Sequence, residues 1–247
     1  MSRFFIHMAY DGGDYCGWQI QPKEKTVQQV LEHALTTLLK NEIAVFGAGR
    51  TDTGVHASHF VAHFDHNTPG TYLPSSEQFI FKLNRFLPSD IVVYKITSVA
   101  EDMHARFSAI YRTYQYHISS IKPLYRRNYS HYVFGELDTA AIDDCCKVIM
   151  DTSDFTSFAK LHTDVHTNIC NVKHAEWRKT EQGYLFEISA DRFLRNMVRS
   201  ITGTLLDVGL GKLDLEEFKE IIEAKDRSKA GSSAPAKALF LTDIGYT

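Results

Sequence analysis

"EIAVFGAGRTDTGVHASHFVAHFDH", residues 42–66, carries two strand patterns in direct succession. EIAVFGA is an apolar run of buried-strand length, and HASHFVAHFDH, 56–66, alternates as a second strand. The turn between them holds Gly47, Gly49 and Gly54 around Arg50 and Asp52. Glycines that dense let a backbone turn sharply and admit a close approach. Upstream, TVQQVLEHALTTLLK (26–40) sets Val27, Val30, Leu31, Ala34, Leu35, Leu38 and Leu39 at helical spacing, with Thr26 as N-cap. Downstream, SSEQFIFKLNRFL (75–87) predicts a helix stopped by Pro88, and IVVYKITSV (91–99) a strand. With a first strand over 3–10 the order is β-α-β-β-α-β, that of a ferredoxin-like unit.

The order nearly recurs. YRTYQYHISS (111–120) predicts a strand and LDTAAIDDCCKVIMD (137–151) a helix. ICNVKHAEWRKT and YLFEISA predict two strands around a turn with Gly183. LRNMVRSITGTLLDVG and LDLEEFKEIIEAK predict helices, and ALFLTDIGY (238–246) a closing strand. The fold class is therefore α+β, with two ferredoxin-like (RRM-like) units over residues 1–105 and 106–247 and their sheets joined. A central cleft between such units is a favoured place for a site.

The 247 residues are 44% hydrophobic and 23% charged, as in an ordinary globular protein. No run of eighteen apolar residues is present, so the expectation is a cytoplasmic protein without a membrane span. Cys16, Cys145, Cys146 and Cys170 form no C-x-x-C pair, which disfavours a zinc site or a disulfide framework.

A net charge of −3 argues on its face against nucleic acid, but charge distribution matters more than its sum. From His104 to His131 the chain holds Arg106, Arg112, Lys122, Arg126 and Arg127, five tyrosines and Phe107, and no Asp or Glu. Cations meet phosphates and aromatic faces stack on unpaired bases; the competing reading is a strand with one aromatic face in the core and a solvated basic face. In DRFLRNMVRSITG, Arg192, Arg195 and Arg199 fall at i, i+3 and i+7, which predicts one basic helical face opposite Leu194, Met197, Val198, Ile201 and Leu205.

Asp52 reads either as an Asx-turn residue or as a reagent. His56, His59 and His63 beside it raise a metal-dependent phosphoesterase as a rival, although no acidic cluster accompanies them. A non-catalytic RNA-binding protein with two RRM-like units is a second rival, and a purely structural dimer a third.

GRTDTGVHA resembles the signature of the tRNA pseudouridine synthases of the TruA type. YDGGDYCGWQ, TVQQVLE, LP-x-DI, HARFSA, Y-x-Y at 114–116, DFTSF, FLRNMVRSITG, AKDR and ALFL follow in that family's order, over nearly the whole chain. The resemblance implies isomerisation of uridine to pseudouridine in the anticodon stem-loop of tRNA, a homodimer, no cofactor and no metal. By motif it implies Asp52 as the essential carboxylate, with Arg50 two residues before it as a substrate contact. It implies Tyr114 as the site tyrosine, Arg199 as the carboxylate's partner, and Leu239 beneath the base, although the family often has Gly where this chain has Ala238. Arg106 and Arg195 are the expected cations along the RNA path.

Overall fold

A computed structural model of the chain describes residues 2–67, 73–160 and 167–247. Among them it has nine strands and five α-helices, a mixed α+β architecture. The chain divides into two compact units, Met1–Ile110 with Leu241–Thr247, and Tyr111–Phe240.

The first unit runs β1 (Ser2–Tyr10), α1 (Val27–Leu39), β2 (Val45–Gly47), β3 (His56–His66), α2 (Glu77–Phe86) and β4 (Ile91–Val99). Its strand order is β4-β1-β3-β9, where β9 is Leu239–Tyr246, and β2 also pairs with β3. β1 is antiparallel to both β3 and β4. Thr26 caps α1 by accepting the Gln29 N–H, as its sequence position predicts. Ser76 does the same for α2 through the Phe79 N–H. Asn84 then fastens α2 to β4, its amide taking both the N–H and the carbonyl of Val93 at 2.8 Å. Between helices and sheet lie Phe4, Ile6 and Met8 of β1, Leu31 and Leu35 of α1, Leu83 of α2, and Phe60 and Phe64 of β3, all buried. Each such side chain contributes about 1.5–3 kcal/mol.

The strand expected over EIAVFGA is shorter. The Ile43 N–H donates to Thr36 Oγ1 (3.0 Å) and the Val45 N–H to Glu32 Oε1 (2.8 Å). Side chains of α1 therefore take donors that a longer strand would need, and only Val45–Gly47 pairs with β3.

The second unit runs β5 (Ala109–Ser119, from Tyr111 onward), β6 (His131–Tyr132), α3 (Thr139–Asp151), β7 (Val172–Thr180), β8 (Gly183–Ala190), α4 (Met197–Gly209) and α5 (Leu215–Ala224). The order β5-β8-β7 is antiparallel, and the two residues of β6 add in parallel to β5. Asp138 caps α3, and Asp214 with Glu217 forms a capping box on α5. α4 is buried on nearly every side, which suits its apolar composition.

The basic helical face expected from Arg192, Arg195 and Arg199 does not form. α4 begins at Met197, because Asn196 sits in the left-handed region at φ 65° and the Met197 N–H turns back to the Leu194 carbonyl. Asparagine tolerates that region better than most residues. Arg192 and Arg195 therefore precede the helix, and the Arg195 carbonyl accepts the Lys160 N–H. All four cysteines are unpaired, and burial pushes the Cys146 thiol up to about 12. No helix among the described residues is long and apolar enough to cross a membrane.

Candidate active site

Residues 48–55 link β2 to β3 and carry Arg50 and Asp52. The loop is held from the YDGGDYCGW stretch that follows β1. The Thr51 carbonyl accepts the Trp18 N–H (3.2 Å), the Gly54 N–H donates to the Tyr15 carbonyl (3.3 Å), and the Asp52 carbonyl closes a turn with the Val55 N–H (3.1 Å). The Thr51 and Tyr10 hydroxyls meet at 2.9 Å, with both residues buried. His56 at the end of the loop is 2% exposed; its Nδ1 accepts the Gly12 N–H (3.0 Å) and lies 2.9 Å from Asp11 Oδ1. Asp52 is thus half-buried on a backbone held at Thr51, at its own carbonyl and at Gly54, while Arg50 stands exposed. A backbone so held gives the Asp52 side chain a fixed point of departure.

The three glycines around Arg50 and Asp52, Gly47 at the end of β2 and Gly49 and Gly54 in the loop, have different causes. A Cβ on Gly47 would meet the Trp18 indole at 2.6 Å, and Gly54 has φ 76°. Those two serve the loop's own packing and turn. A Cβ on Gly49 would meet nothing within 4 Å, so that position leaves open space. Two glycines outside the loop prove as necessary. Gly12 and Gly17 lie so close to it that a Cβ would stand 1.9 Å from the Val55 carbonyl oxygen and 2.4 Å from that of Thr51.

Three of the four histidines of β3 go to separate partners. His56 faces Asp11 and Gly12. His59 stacks on His7 and lies 3.3 Å from Asp243 Oδ1. His63 accepts the Ala105 N–H and packs against Phe46 and His104; burial, with charge nearby, lowers its pKa to about 4. The cluster of His, Cys, Asp or Glu whose geometry suits a cation among the described residues is elsewhere, at His174, Glu176 and Glu187. The Arg178 guanidinium lies within 3.7 Å of both glutamates there and offsets their charge.

In the second unit, Tyr114 is half-buried on β5, pairs in register with Ile188 and meets Phe193 edge-to-face at 5.2 Å. Arg199 lies in the first turn of α4, with its Nε donating to the Ala234 carbonyl (2.8 Å). Leu239 is 5% exposed at the start of β9. Arg195 is exposed just before α4. Arg106, in the first unit, is exposed with its guanidinium 5.5 Å from the centre of the Phe107 ring, itself 76% exposed. Two residues that carry no role in the motif reading are built into this region. Tyr116 is fully buried and donates to the Pro235 carbonyl, and Arg227 binds the segment before it. Their only sequence signals are the second tyrosine of Y-x-Y and the last residue of AKDR.

The family described as tRNA pseudouridine synthase matches residues 6–108 and 151–247. Arg50, Asp52, Arg106, Arg195, Arg199 and Leu239 fall inside those spans, and Tyr114 falls between them. Full-length relatives cover the gap. The tRNA pseudouridine synthase A of Bacteroides thetaiotaomicron is 51% identical over 100% of this chain and 91% of its own length. That of Parabacteroides distasonis is 50% identical over 100% and 96%. That of Bacillus subtilis is 39% identical over 97% of each. With a profile spanning most of its length and full-length relatives of this identity, the chain belongs to the tRNA pseudouridine synthases, a family of isomerases.

Proposed function

We propose that this enzyme isomerises uridine to pseudouridine in the anticodon stem-loop of tRNA, with Asp52 as nucleophile or base. The observation that carries the reading is the Asp52 loop: a half-buried carboxylate whose backbone is hydrogen-bonded on both sides, beside an exposed arginine. We further propose two ferredoxin-like units, one over residues 1–105 with the aspartate loop and one over 106–247, joined around a catalytic cleft. The element order β-α-β-β-α-β and the strand order β4-β1-β3 of the first unit support this. A cytoplasmic homodimer completes the proposal.

The reaction exchanges the C1′–N1 bond of uridine for C1′–C5. No atom enters or leaves, so no oxidant, reductant or group carrier is consumed, and chelation should leave the chemistry intact. Asp52 attacks C6 of the base, or acts at C1′ directly, or first removes the C2′ proton to give a glycal; each route asks for one ionised, directed carboxylate. Arg199 is the partner that directs it, since a guanidinium can hold a carboxylate through two parallel bonds. The detached uracil must turn before it rejoins. Leu239 supplies an apolar floor and Tyr114 a stacking ring, and the Tyr114 hydroxyl is the candidate base for the final loss of the C5 proton. A paired uridine must first leave its stem, at a cost of a few kcal/mol, and Arg50 is the exposed cation that offsets this. Arg106 and Arg195, also exposed, meet backbone phosphates.

The test is incubation with unmodified tRNA transcripts and chemical mapping of pseudouridine. The wild type is expected to modify anticodon-arm uridines. Asp52→Asn keeps shape and turn chemistry without the charge, and should give no product while melting temperature and tRNA affinity stay near wild type. A variant retaining a tenth or so of wild-type turnover would remove Asp52 from the chemistry.

A further inference from the structure

Residues 230–235, Ala-Gly-Ser-Ser-Ala-Pro, form a strap whose polar groups are caught by five residues. Arg227 Nη1 donates to the carbonyls of Ala230 (3.3 Å) and Gly231 (3.2 Å), and Nη2 to Ser233 Oγ (2.9 Å). Ser233 Oγ also accepts from Asn196 Nδ2 (2.6 Å). The Gly231 N–H donates to Thr204 Oγ1 (3.0 Å). Ala234 exchanges two bonds with Arg199: its N–H reaches the Arg199 carbonyl (2.9 Å), and Arg199 Nε reaches its carbonyl (2.8 Å). The Tyr116 hydroxyl holds the Pro235 carbonyl (3.0 Å). The strap lies so tightly on α4 that a Cβ on Gly203 would stand 1.8 Å from the Ser232 carbonyl oxygen.

Arg227 is the unusual member. Its guanidinium is half-buried, and its bonds go to neutral oxygens. Among the described residues no carboxylate lies within ion-pair distance of it. A partly desolvated cation without a counter-charge is a poor source of net stability. What it provides is geometry: one planar fork fixes three acceptors at once, which a lysine cannot reproduce.

We propose that Arg227 is a positioning residue for Arg199. It anchors the strap, the strap holds the Ala234 carbonyl against Arg199 Nε, and that bond sets the plane of the Arg199 guanidinium. With Nε committed, the four remaining N–H groups of Arg199 have a fixed direction. The same strap leads through residues 236–238 into Leu239, so Arg227 also sets the height of that apolar side chain. The catalytic consequence rests on the reading that Arg199 directs the reacting carboxylate. The structural consequence does not.

The experiment uses Arg227→Lys in the wild-type and Arg199→Lys backgrounds, with two readouts. The first is the side-chain Nε–H resonance of Arg199 in the ¹⁵N-labelled protein, assigned through Arg199→Lys. It is expected to be protected from exchange in the wild type and to lose that protection in Arg227→Lys. The second is the single-turnover rate on a tRNA transcript at saturating enzyme, with tRNA affinity measured beside it. The rate is expected to fall roughly tenfold to a hundredfold, as misplacement by a fraction of an ångström does, with affinity changed by less than about twofold. In the Arg199→Lys background the same substitution should cost less than about twofold, because residues acting through one another are non-additive. Equal costs in both backgrounds, or an unchanged Nε–H, would overturn the proposal. Should Arg227→Lys not fold, Ser233→Ala removes one of its acceptors and carries the same cycle with a smaller loss. If the wild type converts no uridine, the functional reading fails, and the Nε–H resonance still decides whether Arg227 positions Arg199.

Discussion

Gly17→Ala puts the Asp52 loop under direct mechanical test. Gly17 has φ 85°, and a Cβ there would stand 2.4 Å from the Thr51 carbonyl oxygen, 3.1 Å from the Asp52 carbonyl carbon and 3.3 Å from the Thr53 nitrogen. All three are backbone atoms, so no side chain can swing aside. Ordinary contact begins near 3.4 Å, so the loop must retreat by about 1 Å. The left-handed conformation adds about 1–2 kcal/mol for a residue with a Cβ. Retreat also breaks the bond from the Trp18 N–H to the Thr51 carbonyl, worth about 1 kcal/mol. A destabilisation of about 2–3 kcal/mol should lower the melting temperature by roughly 5–10 °C in a chain of this size. The effect on turnover should be larger in proportion, since a carboxylate displaced by about 1 Å loses on the order of a hundredfold in rate. The assay is single-turnover pseudouridine formation well below the melting temperature, beside tRNA affinity, which should hold. Gly49→Ala is the control on the same loop: its Cβ would meet nothing within 4 Å, so its melting temperature should match the wild type. A Gly17→Ala enzyme that melts early yet turns over at the wild-type rate would refute the idea that this contact positions Asp52.

Arg50→Ala should lose most activity on a uridine embedded in a stem and less on one in a mismatch or loop, where extrusion is easier. Equal losses in single-turnover rates on matched and mispaired stem-loops would instead make Arg50 a charge partner of Asp52. His63 is held neutral, with its pKa lowered to about 4 from 6.5. The unfolded chain therefore binds the extra proton between those values, so stability is full above the window and is lost as pH falls through it, by up to about 3 kcal/mol. His63→Gln, which keeps an acceptor for the Ala105 N–H, should flatten the loss between urea melts at pH 7 and about pH 4.5. An unchanged slope would mean that other histidines carry it.

Elements with strong local signals were legible in the chain. The 56–66 and 91–99 strands appear with the bounds their patterns predict, and Thr26 caps α1. Legibility failed where a donor or a turn was claimed from elsewhere. β2 is cut short by Thr36 and Glu32, thirteen or fewer residues upstream but on a helix. The arginine stripe of 192–199 was a true helical spacing laid over a non-helical turn, because periodicity cannot report the left-handed Asn196. In the candidate site, the Asp52 loop was legible as a motif, but the division of labour among its glycines was not, since Trp18 and Tyr15 reach it from across the turn after β1. The strap over 230–235 left almost no trace, because carbonyl oxygens supply most of its acceptors and every residue has one.

The last strand has a consequence for how the protein is made. Leu239 and Phe240 belong to the second unit, and Leu241–Thr247 to the first, where β9 lies beside β3. The first unit is therefore assembled from stretches separated by the 130 residues of Tyr111–Phe240. A ribosome delivers residues 1–110 early, but β2 covers only Ala62–Phe64 of the β3 edge, and the part that β9 takes stays open until residues 241–247 emerge. Closure over so long a span is slow, and an unpaired edge is a template for association in the meantime. A nascent chain halted before Leu241 should thus resist protease in its second unit first, reversing the usual order in which the N-terminal part of a protein matures.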